Sequence, residues 1–159
     1  MSAAVNAAPR RELTITRIVD APPALVWKAW TEPKHLSQWF SPRGFTNPVC
    51  EVDLRVGGAL HIVMRSPQGT DHAMKGIFRE VEVPRRLAFT NNAYDVDGTQ
   101  LLEGFTTVTF IEVGGKTRMI VETSATGLVD IAPQMLAGME AGWTQTLEKL
   151  DEVIAEMRR

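Results

Sequence analysis

The strongest constraint on the fold lies in the last quarter of the chain, where Leu136, Met139, Trp143, Leu147, Leu150, Ile154 and Met157 recur at spacings of three and four. That period puts every member on one side of an α-helix, and a face so apolar must be buried. Pro133 suits a first helical turn, so the pattern predicts one helix running to Met157. At 1.5 Å per residue such a helix is on the order of 35 Å long, enough to cross a whole antiparallel sheet. Gly138 and Gly142 interrupt the stripe. Each costs about 1 kcal/mol relative to alanine inside a helix, so their presence one turn apart predicts close packing beside Trp143.

The rest of the chain supplies the sheet. Glu12 to Val19 alternates apolar and polar residues and reads as a half-buried strand. Arg17 continues the phase of Leu13 and Ile15, so it either turns inward to a partner or marks where the strand leaves the core. Asp20-Ala21-Pro22-Pro23 opens a short helix carrying Val26, Ala29 and Trp30, which Pro33 stops. A second short helix is expected over His35–Phe40, with Leu36, Trp39 and Phe40 on one face. From Thr46 to Thr126, short β-rich runs are separated by turn residues: 49–56, 59–65, 72–83, 87–91, 104–112 and 116–126. These read as successive hairpins. Gly57-Gly58 reads as a turn or bulge that lets the sheet curve. The element order is satisfied by a curved antiparallel sheet of about seven strands wrapped around the final helix, the short helices closing one end. A curved sheet and a straight helix cannot touch everywhere, which predicts an interior cavity between them.

Composition narrows the function. The chain has 159 residues, 44% of them hydrophobic, and a formal net charge of -2. This fits a single domain over 12–159 behind a flexible N-terminus at 1–11. A near-neutral chain whose basic clusters are only arginine pairs has no footprint for nucleic acid. No stretch approaches the ~20 apolar residues of a membrane span, and the first ten residues do not read as a secretory signal, so the cytoplasm is the expected compartment. Cys50 alternates with Val49 and Glu51 as a small buried hydrophobe would. His35, His61 and His72 fall on different predicted elements, so no metal site is expected. A hairpin turning near Gln68 sets His72 opposite Met64. Asp95-Val96-Asp97-Gly98 lacks the outer ligands of a calcium loop and reads as a surface turn. No phosphate-binding glycine loop, nucleophile elbow or Cys-x-x-Cys is present, so no catalytic residue and no cofactor are assigned.

The informative supply is of large soft side chains at inward positions. Val52, Met64, Met74, Phe89, Phe110 and Met119 from the strands face Met139 and Trp143 from the long helix, and Trp39 joins them from the second short helix. Methionine fills irregular space and adapts to varied guests. Thr123 and Asn91 are placed to bring hydrogen-bonding groups near the same cavity.

Taken in order, the motifs Arg17-Ile18-Val19-Asp20-Ala21-Pro22, Val26-Trp27-Lys28-Ala29-Trp30-Thr31, Gln38-Trp39-Phe40-Ser41-Pro42, Asp53-Leu54-Arg55-Val56-Gly57-Gly58, Pro84-Arg85-Arg86-Leu87-Ala88-Phe89-Thr90 and Gly142-Trp143 resemble one family. It is the START-like (SRPBCC) branch related to the C-terminal domain of the activator of the heat-shock protein 90 ATPase. The resemblance implies an α+β helix-grip fold with a ligand cavity under the C-terminal helix. With the methionine and aromatic lining, the expected partner is a small hydrophobic or aromatic molecule, in stress response, detoxification or sequestration. Two alternatives stay open: a cyclase or hydrolase acting on a polyketide-like or aromatic substrate, and a modulator of a chaperone ATPase. Self-association as a homodimer is open too.

Overall fold

The computed structural model describes residues 8–159. The first strand, β1 (Arg10–Val19), is followed by helices α1 (Pro23–Thr31) and α2 (Pro33–Leu36). Six strands come next: β2 (Thr46–Val52), β3 (Ala59–Arg65), β4 (Asp71–Glu82), β5 (Arg86–Thr90), β6 (Asn92–Tyr94) and β7 (Gln100–Val113). The chain closes with β8 (Lys116–Gly127), α3 (Ala132–Ala137) and α4 (Met139–Met157). All pairings are antiparallel, and the sheet runs β1-β8-β7-β5-β4-β3-β2, with β6 between β4 and β7. This is the expected α+β architecture, with several corrections of detail.

β1 begins at Arg10, two residues before the expected start, so Arg10 and Arg11 of the expected flexible segment are strand. Residues 1–7 of that segment lie outside the described residues. Arg17 turns to a partner: its guanidinium meets Asp151 of α4 at 2.5 Å and ties the edge strand to the helix. The second short helix lies earlier than expected, at Pro33–Leu36, because Pro33 starts it instead of merely ending α1. His72 stands opposite Met64, as the hairpin reading required. The segment from Asp95 to Thr99 is a turn, closed by backbone bonds from Asp95 to Thr99 and from Gly98 to Asp95.

An eighth strand, β6, occupies what read as loop. Phe78 pairs with Phe89 and Lys75 with Asn92, the same register on both sides of the gap. β5 and β6 are therefore one strand kinked at Asn91, and three residues are too few for alternation to show. The kink crosses three strands. By register Asn91 lies between Gly76 of β4 and Gly104 of β7, and Gly104 is paired with Ala125 of β8. A Cβ on Gly76 would stand 1.7 Å from the Thr90 carbonyl oxygen, and one on Gly104 would stand 2.5 Å from that of Asn91. Neighbouring backbone thus folds over both glycines, and a row of small residues carries the bend. Gly57-Gly58 form the turn that was one of the two expected readings, closed by the Gly58 N–H on the Arg55 carbonyl at 2.8 Å. Gly57 has φ of +86°, and a Cβ on Gly58 would lie 2.0 Å from the Asp53 carbonyl oxygen.

The predicted single long helix is broken at Gly138 into α3 and α4. In α4 the buried face comprises Thr146, Leu147, Leu150, Val153 and Ile154. Met139 and Trp143, one to two turns earlier, are only half buried. The interior is solid under the C-terminal half of α4 and under α1 and α2, where Trp30 meets Trp39 edge-on at 4.7 Å and lies 6.4 Å from both Phe89 and Phe110.

Candidate functional site

The solid half of the interior stops at Phe40. Its ring stands edge-on to Trp143 at 5.8 Å. Beyond this pair, where the sheet bends at the Gly76–Asn91–Gly104 row, lies a cavity of about 270 Å³. Its floor is Met64, Met74, Asn91, Ala93, Leu102 and Ala125 from the sheet. Met135 and Leu136 of α3, with Met139, Gly142, Trp143 and Thr146 of α4, cover it, and Phe40, Ser41 and Pro42 form a side wall.

Four of the ten expected lining residues come together here: Met64, Met74, Met139 and Trp143. The others do not. Trp39, Phe89, Phe110 and Met119 are fully buried in the solid half. Trp39 donates its indole N–H to the Ala29 carbonyl at 3.0 Å, and Trp30 donates to the Met119 sulfur at 3.3 Å. Val52 packs against the core at the sheet's far edge. The inward phase was read correctly for these residues. Position along each strand separates filled from empty interior, and alternation carries no information about that. Thr123 is buried behind the cavity and shares a hydrogen with Thr106 at 2.8 Å.

Asn91 does reach the cavity, while the other ten lining residues were missed, Ala93, Leu102, Ala125, Met135 and Gly142 among them. Ala93 fell in what read as loop, and Leu102 lay just before the expected strand start at Gly104. The close packing expected at Gly142 is absent: an added Cβ there would meet nothing within 4 Å. This glycine faces the empty space, and the helix gives up propensity to keep that space open.

Electrostatically the site is plain, since none of its fifteen lining residues carries a titratable side chain. One such group, outside the lining, supports its side wall. Lys149 Nζ donates to the Ser41 carbonyl at 3.1 Å, to Ser41 Oγ at 3.1 Å and to the Pro42 carbonyl at 3.4 Å. Burial holds this amine below the ordinary lysine range, and Arg43 adds to the effect. Ser41 in turn donates to Asn47 Oδ1 at 2.9 Å. Elsewhere His61 Nδ1 lies 3.0 Å from Glu51 Oε1. Among the described residues no three His, Cys, Asp or Glu side chains are grouped as a metal ion would require. No helix there is long and apolar enough to cross a membrane.

Residues 20–155 match the family described as Activator of Hsp90 ATPase homolog 1-like protein. Solved structures agree. A protein from Arthrobacter aurescens is 27% identical with a TM-score of 0.80, covering 91% of this chain and 86% of that one. One from Chromobacterium violaceum is 28% identical with a TM-score of 0.75, covering 90% and 96%. The AHSA1 protein from Silicibacter pomeroyi is 25% identical with a TM-score of 0.77, covering 92% and 99%. No curated protein matches the chain.

Proposed function

Because the chain belongs to the Activator of Hsp90 ATPase homolog 1-like family, within the START-like superfamily, we propose that it binds a small hydrophobic or aromatic molecule in the cavity between the bent sheet and the α3–α4 elbow. The observation that carries this reading is an apolar space of about 270 Å³ held open by Gly142 and by the Gly76–Gly104 bend. At about 270 Å³ it falls just below the roughly 300–1,000 Å³ typical of ligand pockets, room for a small guest. Adaptable methionines line it, and no side chain in it could act as a general acid or base. Retention of an unaltered guest therefore fits better than turnover. Sequestration or detoxification of such a compound is the biological role consistent with it.

The test is to fill the space from the helix side. Gly142→Leu places a side chain where nothing stands within 4 Å and replaces a poor helix former with a good one. The uncharged dye N-phenyl-1-naphthylamine is expected to bind the parent protein once per chain, with Kd about 1 μM or weaker for an unmatched guest. Gly142→Leu should abolish that binding while unfolding remains cooperative and the melting temperature does not fall. Binding to neither protein, or equal binding to both, overturns the reading. A role through the outer surface, such as modulation of a chaperone ATPase, would then take its place.

A further inference from the structure

Three polar side chains line the cavity: Ser41, Asn91 and Thr146. Two have no hydrogen left to give. Ser41 Oγ donates to Asn47, and Thr146 Oγ donates to the Gly142 carbonyl at 2.8 Å. Asn91 differs. Its Oδ1 accepts from Thr106 Oγ1 at 2.9 Å, and Thr106 in turn shares a hydrogen with Thr123 Oγ1 at 2.8 Å. Oδ1 is thus the engaged end of the amide. The other end, Nδ2, carries two N–H groups, and none of the side-chain hydrogen bonds among the described residues uses them. The amide lies across Gly104, where a Cβ would stand 2.9 Å from Nδ2, so the glycine that bends the sheet also makes room for this group.

Resting on the binding reading above, we propose that Asn91 is the specificity-determining residue of the cavity and that the guest is a neutral, largely apolar ring compound bearing a carbonyl group, whose oxygen accepts from Asn91 Nδ2. A solvent-reachable donor without a protein acceptor, set in an otherwise apolar cleft, favours a guest that brings an acceptor, because a guest without one would cover the donor and leave it unpaired. Charge on the guest is disfavoured. The lining holds no cation, and the Lys149 ammonium is spent on the far side of the Ser41–Pro42 wall.

The proposal is tested with matched probes, 2-acetylnaphthalene, 2-ethylnaphthalene and 2-naphthoate, each displacing N-phenyl-1-naphthylamine from the parent protein. The ketone is expected to bind roughly fivefold more tightly than the hydrocarbon, the size of one neutral hydrogen bond. The carboxylate should bind least well. With the carbonyl carbon labelled with ¹³C, the stretch of the bound ketone should move to lower wavenumber than in hexane. Asn91→Leu, close in volume but without N–H groups, should erase both the preference and the shift. Equal binding of ketone and hydrocarbon, tighter binding of the carboxylate, or an unshifted carbonyl band in the parent protein each overturns the proposal. The infrared outcome is decisive even if Asn91→Leu fails to fold. Failure of all three probes and the dye to bind would instead overturn the cavity reading on which the proposal rests.

Discussion

Cys50 shows how a single position on the sheet departs from its textual pattern. It is paired with the buried Ile62 across β2 and β3, yet it is itself only half buried. Burial, with a smaller contribution from the Glu51 carboxylate, pushes the thiol up to about 11. Only the thiolate attacks alkylating reagents, so at pH 7 roughly 10⁻⁴ of the population is reactive. Iodoacetamide should therefore modify the folded protein at least about two orders of magnitude more slowly than an unperturbed cysteine at that pH. The rate should climb about tenfold per pH unit until near 11. A plateau near pH 8.5 would show an ordinary exposed thiol instead. The same scale explains Met119, whose inward phase was legible but whose engagement by the Trp30 indole depends on where α1 lands.

At the scale of elements, two features divide the interior into filled and open parts. The first is the row Gly76–Asn91–Gly104, where neighbouring carbonyls occupy the places of side chains. Gly76→Ala sets a methyl against backbone that cannot swing aside, so it should cost about 3 kcal/mol, the upper end for overpacking. Gly57→Ala, at a turn with open space but positive φ, should cost only about 1 kcal/mol. Urea denaturation of both variants checks the order, and equal losses would mean that the bend does not depend on Gly76. The second feature is the graded burial of α4. Leu147 is fully buried whereas Trp143 roofs the cavity. Leu147→Ala should cost about 2–5 kcal/mol, as for a core leucine. Trp143→Ala should cost clearly less than the roughly 3–5 kcal/mol of an enclosed tryptophan, because its inner face already meets empty space. A larger loss for Trp143→Ala than for Leu147→Ala would contradict this division.

Across the whole molecule, the loss of stability in acid is set by exposed carboxylates held in ion pairs and turns. Arg65 holds the Asp71 carboxyl below its usual range across β3 and β4, and Arg43 does the same for Glu152 across the cavity wall and α4. Backbone and side-chain bonds from Thr99 lower Asp97. In each case the folded state binds a proton less readily than the unfolded chain. The stabilisation is thus present above the ordinary carboxylate range and lost as pH falls through the depressed folded values. Thermal melts from pH 6 to pH 2 should show a falling melting temperature that begins near pH 4.5. Added salt should shrink the pH 6 advantage, since exposed pairs are screened. A melting temperature flat to pH 2 would contradict this account.

The sequence by itself determined the α+β class, most strand positions, the inward phase of nearly every strand and the amphipathic C-terminal stripe, because hydrophobic period depends only on local geometry. Even the opposition of His72 and Met64 followed from one hairpin turn. The break at Gly138 and the kink at Asn91 were not legible. A glycine in a periodic run tells neither whether it admits a neighbour nor whether it faces a void, and Gly76 and Gly142 turn out to be one of each. Which methionines reach the cavity was likewise decided only in three dimensions. Met119 and Met64 carry the same local signal, but the rings of Trp30 in α1 and of Trp39 and Phe40 just after α2 pack over one end of the sheet, while α3 and the start of α4 cover a cavity at the other. Local periodicity selects a face. Where along that face the interior stays empty is set by the meeting of elements far apart in the chain, and that is a property of tertiary packing alone.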